Sequence, residues 1–301
     1  MLDFVIPLSK NRDIYFVQGK NKGKIPYTNA LLIKEYLIDT GISPLYLKKL
    51  KKKFRIQHII FSHWHDDHIR DNKILQECEH LSHEKAKPII EDIDKLKDLY
   101  DIRDTPVEIA FDDFLSNIID VYGMHIERTF TDNQIFNMGK NLEFRVIYTP
   151  GHSIGHCCFY EPNLKLAFLS DIELSKFGPW YGGLDSSIVE FKTSIDKILE
   201  LEIQTAVTGH SGIIKGEKII KKKLREYRRI FGYRDEKIVA LLSNTKPLSV
   251  DDLTGKNIIY SNYEFFKPFL IRMERTMIQK HLDNLVKENR IIKQYSGYLL
   301  P

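Results

Sequence analysis

Seven residues that follow one short apolar run restrict this chain more than anything else in it. The run Gln57–Phe61 is apolar and β-branched and reads as a buried strand. Directly after it stand Ser62, His63, Trp64, His65, Asp66, Asp67 and His68. Uncompensated polar groups beside a core cost roughly a few kcal/mol each, so three imidazoles and two carboxylates need a use. Neutral imidazole is the commonest metal ligand. In extended backbone His63 and His65 project to the same side and can grip one ion. A turn over 66–68 then swings Asp67 and His68 toward a second ion about 3.5–4 Å away. A lone histidine at a strand end is usually structural; this spacing is not that case.

Bulk composition permits such a site without explaining it. The 301 residues are 43% hydrophobic and 29% charged, enough for a sizeable core in one large domain or two unequal ones. The first ten residues lack the basic and long apolar regions of a secretory signal, and no run of 18 apolar residues predicts a membrane span. Three cysteines, Cys78, Cys157 and Cys158, form no disulfide framework, which points to a reducing, cytoplasmic setting. The net charge of +4 is too small to imply nucleic acid. It is unevenly placed, however, with 18 Lys/Arg against 10 Asp/Glu from residue 217 onward. That asymmetry predicts a boundary there and makes the tail the anion-facing part.

Apolar runs at Asn29–Ile33 and Tyr36–Asp39 read as paired strands, and Pro44–Lys53 as an amphipathic helix. Residues 71–120 are helical in pattern. Strands return at Leu142–Tyr148, Cys157–Tyr160 and Lys165–Leu169, a helix at Ser186–Leu201 and a strand at Thr205–Thr208. Two sheets with helices outside, an αββα sandwich, accommodate this order, although periodicity alone does not select it.

The segment from His63 to His68 resembles the signature of the metallo-β-lactamase superfamily. Downstream, Thr149-Pro-Gly-His152-Ser-Ile-Gly-His156 resembles that family's T-P-G-H-x-x-G-H segment, as found in glyoxalase II. Leu169-Ser-Asp171 resembles its strand-end aspartate, and Thr208-Gly-His210 its last ligand histidine. The resemblance covers roughly residues 10–215 and implies an α/β fold, the αββα sandwich. It also implies a first metal on His63, His65 and His152 and a second on Asp67, His68 and His210, with Asp171 shared. Ligands of this kind suit zinc, with iron or manganese also compatible. Two dications lower the pKa of a bound water toward 7, and Asp67 or Asp171 would orient the resulting nucleophile.

The neighbours carry blander expectations. Neither Asp66 nor His156 is expected to bind metal: Asp66 is read as a surface carboxylate or a support to a ligand, His156 as a supporting or structural residue. His58, His80, His83, His125 and His281 have no motif around them, and Cys157 and Cys158 are expected to be buried structural thiols. The run Phe177-Gly-Pro-Trp-Tyr-Gly-Gly183 follows Asp171 closely. It is either a packed turn or a pocket wall with Trp180 and Tyr181 touching substrate.

Residues 1–216 are thus expected to be the catalytic domain, with a helical insertion at about 71–120. Residues 217–301 are expected to be a linking helix over 218–229 and a small, mostly helical module with a hairpin-like end. Three helical patterns and a hairpin resemble a winged helix, which some proteins of this fold carry at the C-terminus. Its last helix would offer Arg272, Arg275, Lys280, Lys287 and Arg290 to phosphates; otherwise it packs on the catalytic domain or forms a homodimer. The chemistry expected is hydrolysis of a small-molecule ester, thioester, lactone or phosphoester. The related quorum-quenching lactonases place a tyrosine shortly after the aspartate, which Ile172–Ser175 lacks. A lactam substrate is not expected without export. The alternative is a single-strand ribonuclease, favoured by the basic tail but not by the acidic remainder, which shows no aromatic–basic stacking track.

Overall fold

The computed structural model describes residues 2–9, 13–139, 142–263 and 266–301. Within them the chain starts with strands β1 (Val5–Ser9), β2 (Ile14–Val17), β3 (Ala30–Ile33) and β4 (Tyr36–Ile38), joined antiparallel in sequence. Helix α1 (Pro44–Lys53) follows, started by Ser43, whose side chain accepts the Tyr46 N–H, and by Pro44 in the first turn. Strand β5 (His58–Phe61) then pairs parallel with β4. Short helix α2 (Asp66–Ile69), strand β6 (Glu79–His83), helices α3 (Lys87–Ile90), α4 (Lys95–Leu99) and α5 (Pro106–Asp113), and strand β7 (Arg128–Phe130) complete the first half. Strands β1 to β7 form one sheet in chain order.

The second sheet collects β8 (Ile135–Asn137), β9 (Glu143–Tyr148), β10 (Cys157–Glu161), β11 (Leu166–Phe168), β12 (Thr205–Thr208) and β13 (Gly212–Lys215), with helix α6 (Ile188–Leu199) between β11 and β12. Why the strands read as continuous apolar runs is visible in their packing. Leu31, Ile33 and Ile60 face the other sheet, meeting Phe144, Phe159 and Phe168, whereas Ala30, Leu32, Ile59 and Phe61 turn outward to Leu47 and Leu50 of α1. Both faces of the sheet are covered, so both parities are apolar. The second sheet's outer face carries α6 in the same way, through Ile188, Phe191, Ile195 and Ile198. The mixed α/β sandwich expected from the sequence is present.

Residues 71–120 depart from the helical expectation, because Glu79–His83 form β6, paired parallel between β5 and β7 of the first sheet. Its buried residues include His80, Ser82 and His83, so the strand carries little apolar signal for sequence reasoning to find.

After β13 comes α7 (Glu217–Leu241), then α8 (Val250–Leu253), α9 (Lys267–Lys287) and the antiparallel strands β14 (Ile292–Gln294) and β15 (Gly297–Leu299). Leu248 bridges to Tyr298 beside this ribbon. Helix α7 is one element of 25 residues rather than a linking helix followed by another. Gly232 interrupts propensity by about 1 kcal/mol, but Ile220, Leu224, Tyr227, Phe231, Arg234 and Ile238 form one buried stripe that carries the helix through. That stripe, with Met277, Ile278, Leu282 and Leu285 of α9, belongs to the same apolar cluster as α6 and the second sheet. Among the described residues no helix is long and apolar enough to cross a membrane.

Candidate metal centre

Five strand-end segments converge at one edge of the sandwich. The first is the turn leaving β5. Asp39, buried at the end of β4, accepts the Ser62 N–H (2.8 Å) and Ser62 hydroxyl (2.8 Å), which fixes the path of the chain into His63 and His65. The second is the loop before β10. Gly151, at φ +116°, approaches Phe191 so closely that an added Cβ would lie 2.1 Å from its backbone nitrogen, and His152 follows. The third and fourth are the turns leaving β11 and β12, which present Asp171 and His210; the fifth is the 20–23 turn that holds His210 from outside.

The orientation of each imidazole follows from its outer nitrogen. His152 Nδ1 lies 2.9 Å from the Trp180 carbonyl and His210 Nδ1 2.6 Å from that of Gly23. A carbonyl only accepts, so both Nδ1 atoms carry the proton. His68 Nδ1 donates likewise to Asp39 Oδ2 at 2.8 Å. The Ser62 hydroxyl donates to Asp39, so it accepts from His63 Nδ1 at 3.0 Å. Four histidines are thereby locked with Nδ1–H outward and Nε2 turned inward, the pattern by which outer partners fix ligand orientation.

Inside, His65 Nδ1 lies 2.9 Å from His63 Nε2 and 2.9 Å from His152 Nε2, which are 3.3 Å from each other. A proton on His65 Nδ1 could serve only one of the other two nitrogens, whereas a cation among them serves all three. Asp171 divides its oxygens between two groups. Oδ2 lies 3.2 Å from His152 Nε2, while Oδ1 lies 2.9 Å from His68 Nε2 and 3.7 Å from His210 Nε2. Asp67 Oδ2 adds 3.2 Å to His210 Nε2. His68 Nε2, Asp67 Oδ2 and Asp171 Oδ1 are buried and, among the described residues, meet only one another and His210. The donor atoms of His63, His65, His152 and Asp171, and those of Asp67, His68 and His210, form two groups of the size that holds a metal ion. The residues fit a pair of cations.

Electrostatics differ between the groups. Burial, reinforced by neighbouring imidazoles, holds His63 and His65 well below the ordinary histidine value. Burial would lower His68 and His210 too, but the surrounding carboxylates, Asp171 foremost, overcome it and raise His68 well above 6.5 and His210 to about 10. Burial would raise Asp171, yet His68 and His210 keep it well below the carboxylate range. Without cations, protons on His68 and His210 occupy the electrostatic place of a metal.

All seven ligand-type side chains expected from the sequence meet here. His156 does not; its Nε2 accepts the Asp171 N–H (3.2 Å) while its Nδ1 faces Thr149 Oγ1 (2.8 Å), so it orients the aspartate. Asp66 starts α2 and accepts from Tyr100. Trp180 lies edge-on to His65, ring centroids 5.2 Å apart, beside the cluster. Tyr181 is different: it is fully buried, its hydroxyl held by Arg234 and His281, so it cannot form a pocket wall. The glycine-rich run around it bends the ring into the core beneath α7.

Three supporting residues escaped sequence reasoning. Asp39 looks like an ordinary turn residue, although a carboxylate closing an apolar strand is a signal. Ser170, 2.7 Å from Ser62 Oγ, gives none. Glu173 accepts the His210 N–H (2.8 Å) and Thr208 hydroxyl (3.3 Å), and burial pushes its carboxyl up to about 7. Gly209 is required as glycine, since a Cβ there would stand 2.8 Å from Asp171 Oδ1.

The family description "Metallo-beta-lactamase superfamily" matches residues 25–210. The chain is 24% identical over 289 residues to the "Beta-lactamase-like protein 2 homolog" of Caenorhabditis elegans, covering 90% of this chain and 83% of that protein. It is 24% identical over 231 residues to the "Atrochrysone carboxyl ACP thioesterase" of Aspergillus fumigatus, covering 71% of this chain and 62% of the relative. In fold it is similar to a metallo-beta-lactamase family protein of Thermus thermophilus, with TM-score 0.67, 18% identity and 99% and 97% of the two chains covered. A beta-lactamase domain protein of Burkholderia ambifaria gives TM-score 0.73 at 11% identity, covering 99% and 93%.

Proposed function

The chain belongs to the metallo-β-lactamase superfamily, and from that premise we propose that it is a dinuclear-metal hydrolase of a small-molecule ester-type bond, a thioester before the ester, lactone or phosphoester. The observation that carries this reading is the convergence of inward-turned ring nitrogens whose outer partners fix their orientation. In it, His63, His65 and His152 hold one divalent cation and Asp67, His68 and His210 the other, with Asp171 between them. Zinc suits these ligands, as do iron and manganese. Such a pair supplies hydroxide near neutral pH by lowering the pKa of water.

The chain's own residues do the rest. Asp67 and Asp171 are buried carboxylates at the rim of the cluster, only 9% and 8% exposed, placed to accept and aim a proton from an incoming water. Trp180 flanks the first group and gives an acyl chain an aromatic surface. Support for the thioester comes from the relative named as an ACP thioesterase. A small-molecule substrate is further supported by the ion pairs of three of the tail's five candidate phosphate contacts. Arg272 pairs with Asp101 (2.7 Å), Arg275 with Asp251 (2.9 Å), and Arg290, beyond α9, with Glu236 (2.7 Å), so each would have to leave a partner to reach a phosphate.

A hydrolysis screen over thioester, ester, lactone, phosphotriester and RNA, run with and without chelator, tests the proposal. Chelator-sensitive turnover of an ester-type substrate with RNA left intact is expected. Cleavage of RNA with no ester turnover would replace this reading by the ribonuclease.

A further inference from the structure

The run Phe177–Gly183 follows the shared aspartate closely and is tied down from α7 and α9. Arg234 of α7 is 2% exposed. Its guanidinium donates to the carbonyls of Pro179 (2.6 Å) and Phe177 (2.8 Å) and to the Tyr181 hydroxyl (2.9 Å). That hydroxyl donates onward to His281 Nε2 (2.6 Å), and His281 Nδ1 donates to Asp235 Oδ1 (2.5 Å). Every partner in this chain is assigned, which a buried polar network requires. Asp235 is spent on His281, leaving the guanidinium to grip backbone. A planar fork gripping two carbonyls fixes the path of a loop in a way that an ammonium cannot.

Between those gripped residues lies Trp180, whose carbonyl accepts the His152 Nδ1 proton at 2.9 Å. Its indole is anchored separately, donating to Tyr260 Oη at 2.9 Å. Two turns earlier on the same face of α7, the Tyr227 hydroxyl donates to the Asp171 carbonyl at 3.1 Å. One face of one helix therefore reaches the backbone beside two candidate ligands.

We infer that Arg234 is a positioning residue of the metal centre: by clamping the carbonyls of Phe177 and Pro179 it aims that of Trp180 at His152 and keeps His152 Nε2 bare and turned inward. Helices α7 and α9 are then working parts of the centre rather than an appendage to it. The inference rests on the proposed metal site and adds what holds the third imidazole in place.

The test is metal binding by the full-length chain and its variants, with cobalt(II) as the probe, followed by its visible absorption and by total metal per chain. Arg234→Met is expected to weaken one cobalt site by up to about tenfold, the low end of the effect of removing a ligand's direct outer partner, because the Trp180 carbonyl is loosened rather than removed. The other site keeps its affinity, the absorption of the weakened site shifts, and kcat falls more than KM rises. Arg234→Lys restores the charge without the fork and recovers only part. Should Arg234→Met fail to fold, Arg234→Lys and Tyr181→Phe carry the test, with smaller losses expected at the same site. Two cobalt ions bound by the folded variants with wild-type affinity and spectrum would overturn the inference. Failure of the wild-type chain itself to bind cobalt would instead sink the metal centre on which it rests.

Discussion

Around His63, His65 and His152 nitrogen faces nitrogen, whereas around Asp67, His68 and His210 nitrogen faces carboxylate. The same residue types are thus set in opposite fields. In the first half, burial leaves His63 and His65 neutral with their lone pairs already free for a cation. In the second half, the carboxylates draw protons onto His68 and His210. A cation entering the first half displaces little, while one entering the second must compete with protons. The difference teaches that a pair of adjacent sites can be graded by second partners and carboxylate placement alone.

The largest effect is expected where the halves join. Asp171→Ala removes an oxygen from each, so both metals should weaken and turnover should fall by at least about two orders of magnitude, several kcal/mol of barrier reduction being lost. Metal content and rate measured on one sample check it. Asp39→Asn should separate the halves. It takes the carboxylate from His68 Nδ1 and is expected to cost about tenfold to a hundredfold in affinity at the second site. Calorimetric titration should show a smaller loss at the first site, which Asp39 reaches only through Ser62; equal loss at both would erase the distinction.

A pH series sharpens the comparison further. In the metal-free chain His210 is raised from 6.5 to about 10, with burial opposing and Asp171 leading the rise. A raised folded-state value means that its stabilisation is full below about pH 6.5 and is lost as pH climbs toward 10. The melting temperature of the metal-free chain should therefore decline over that window. Affinity at the second site should increase over the same window as protons leave, while the first site stays flat. Ser62→Ala is the mildest change. It removes one acceptor of His63 Nδ1 and one donor to Asp39, with an expected loss of about 1 kcal/mol in stability, read by denaturant titration, and a small loss at the first site.

What the sequence shows of this centre is what has a spacing or a motif. Histidines two apart on extended backbone, and ligands at the ends of apolar strands, are legible because the strands β5, β9, β11 and β12 announce themselves by hydropathy. Ser170 and Glu173 act through contacts set by the fold rather than by neighbours in the chain, so nothing local marks them, and Asp39 is marked only as a carboxylate closing an apolar strand. Strand β6 is hidden for the related reason that its buried residues are partly polar. Tyr181 misleads in the other direction: a tyrosine in a glycine-rich loop suggests a pocket, yet its hydroxyl is satisfied by Arg234 and His281, partners 53 and 100 residues away.

The most direct measurement is the number of divalent metal ions bound per chain, read by elemental analysis on wild type and on His63→Ala and His210→Ala. Two ions in wild type and one in each variant, with the pH-dependent ion missing from His210→Ala, are expected. Wild-type protein that retains no metal, or variants that bind as much as wild type, would contradict the dinuclear centre.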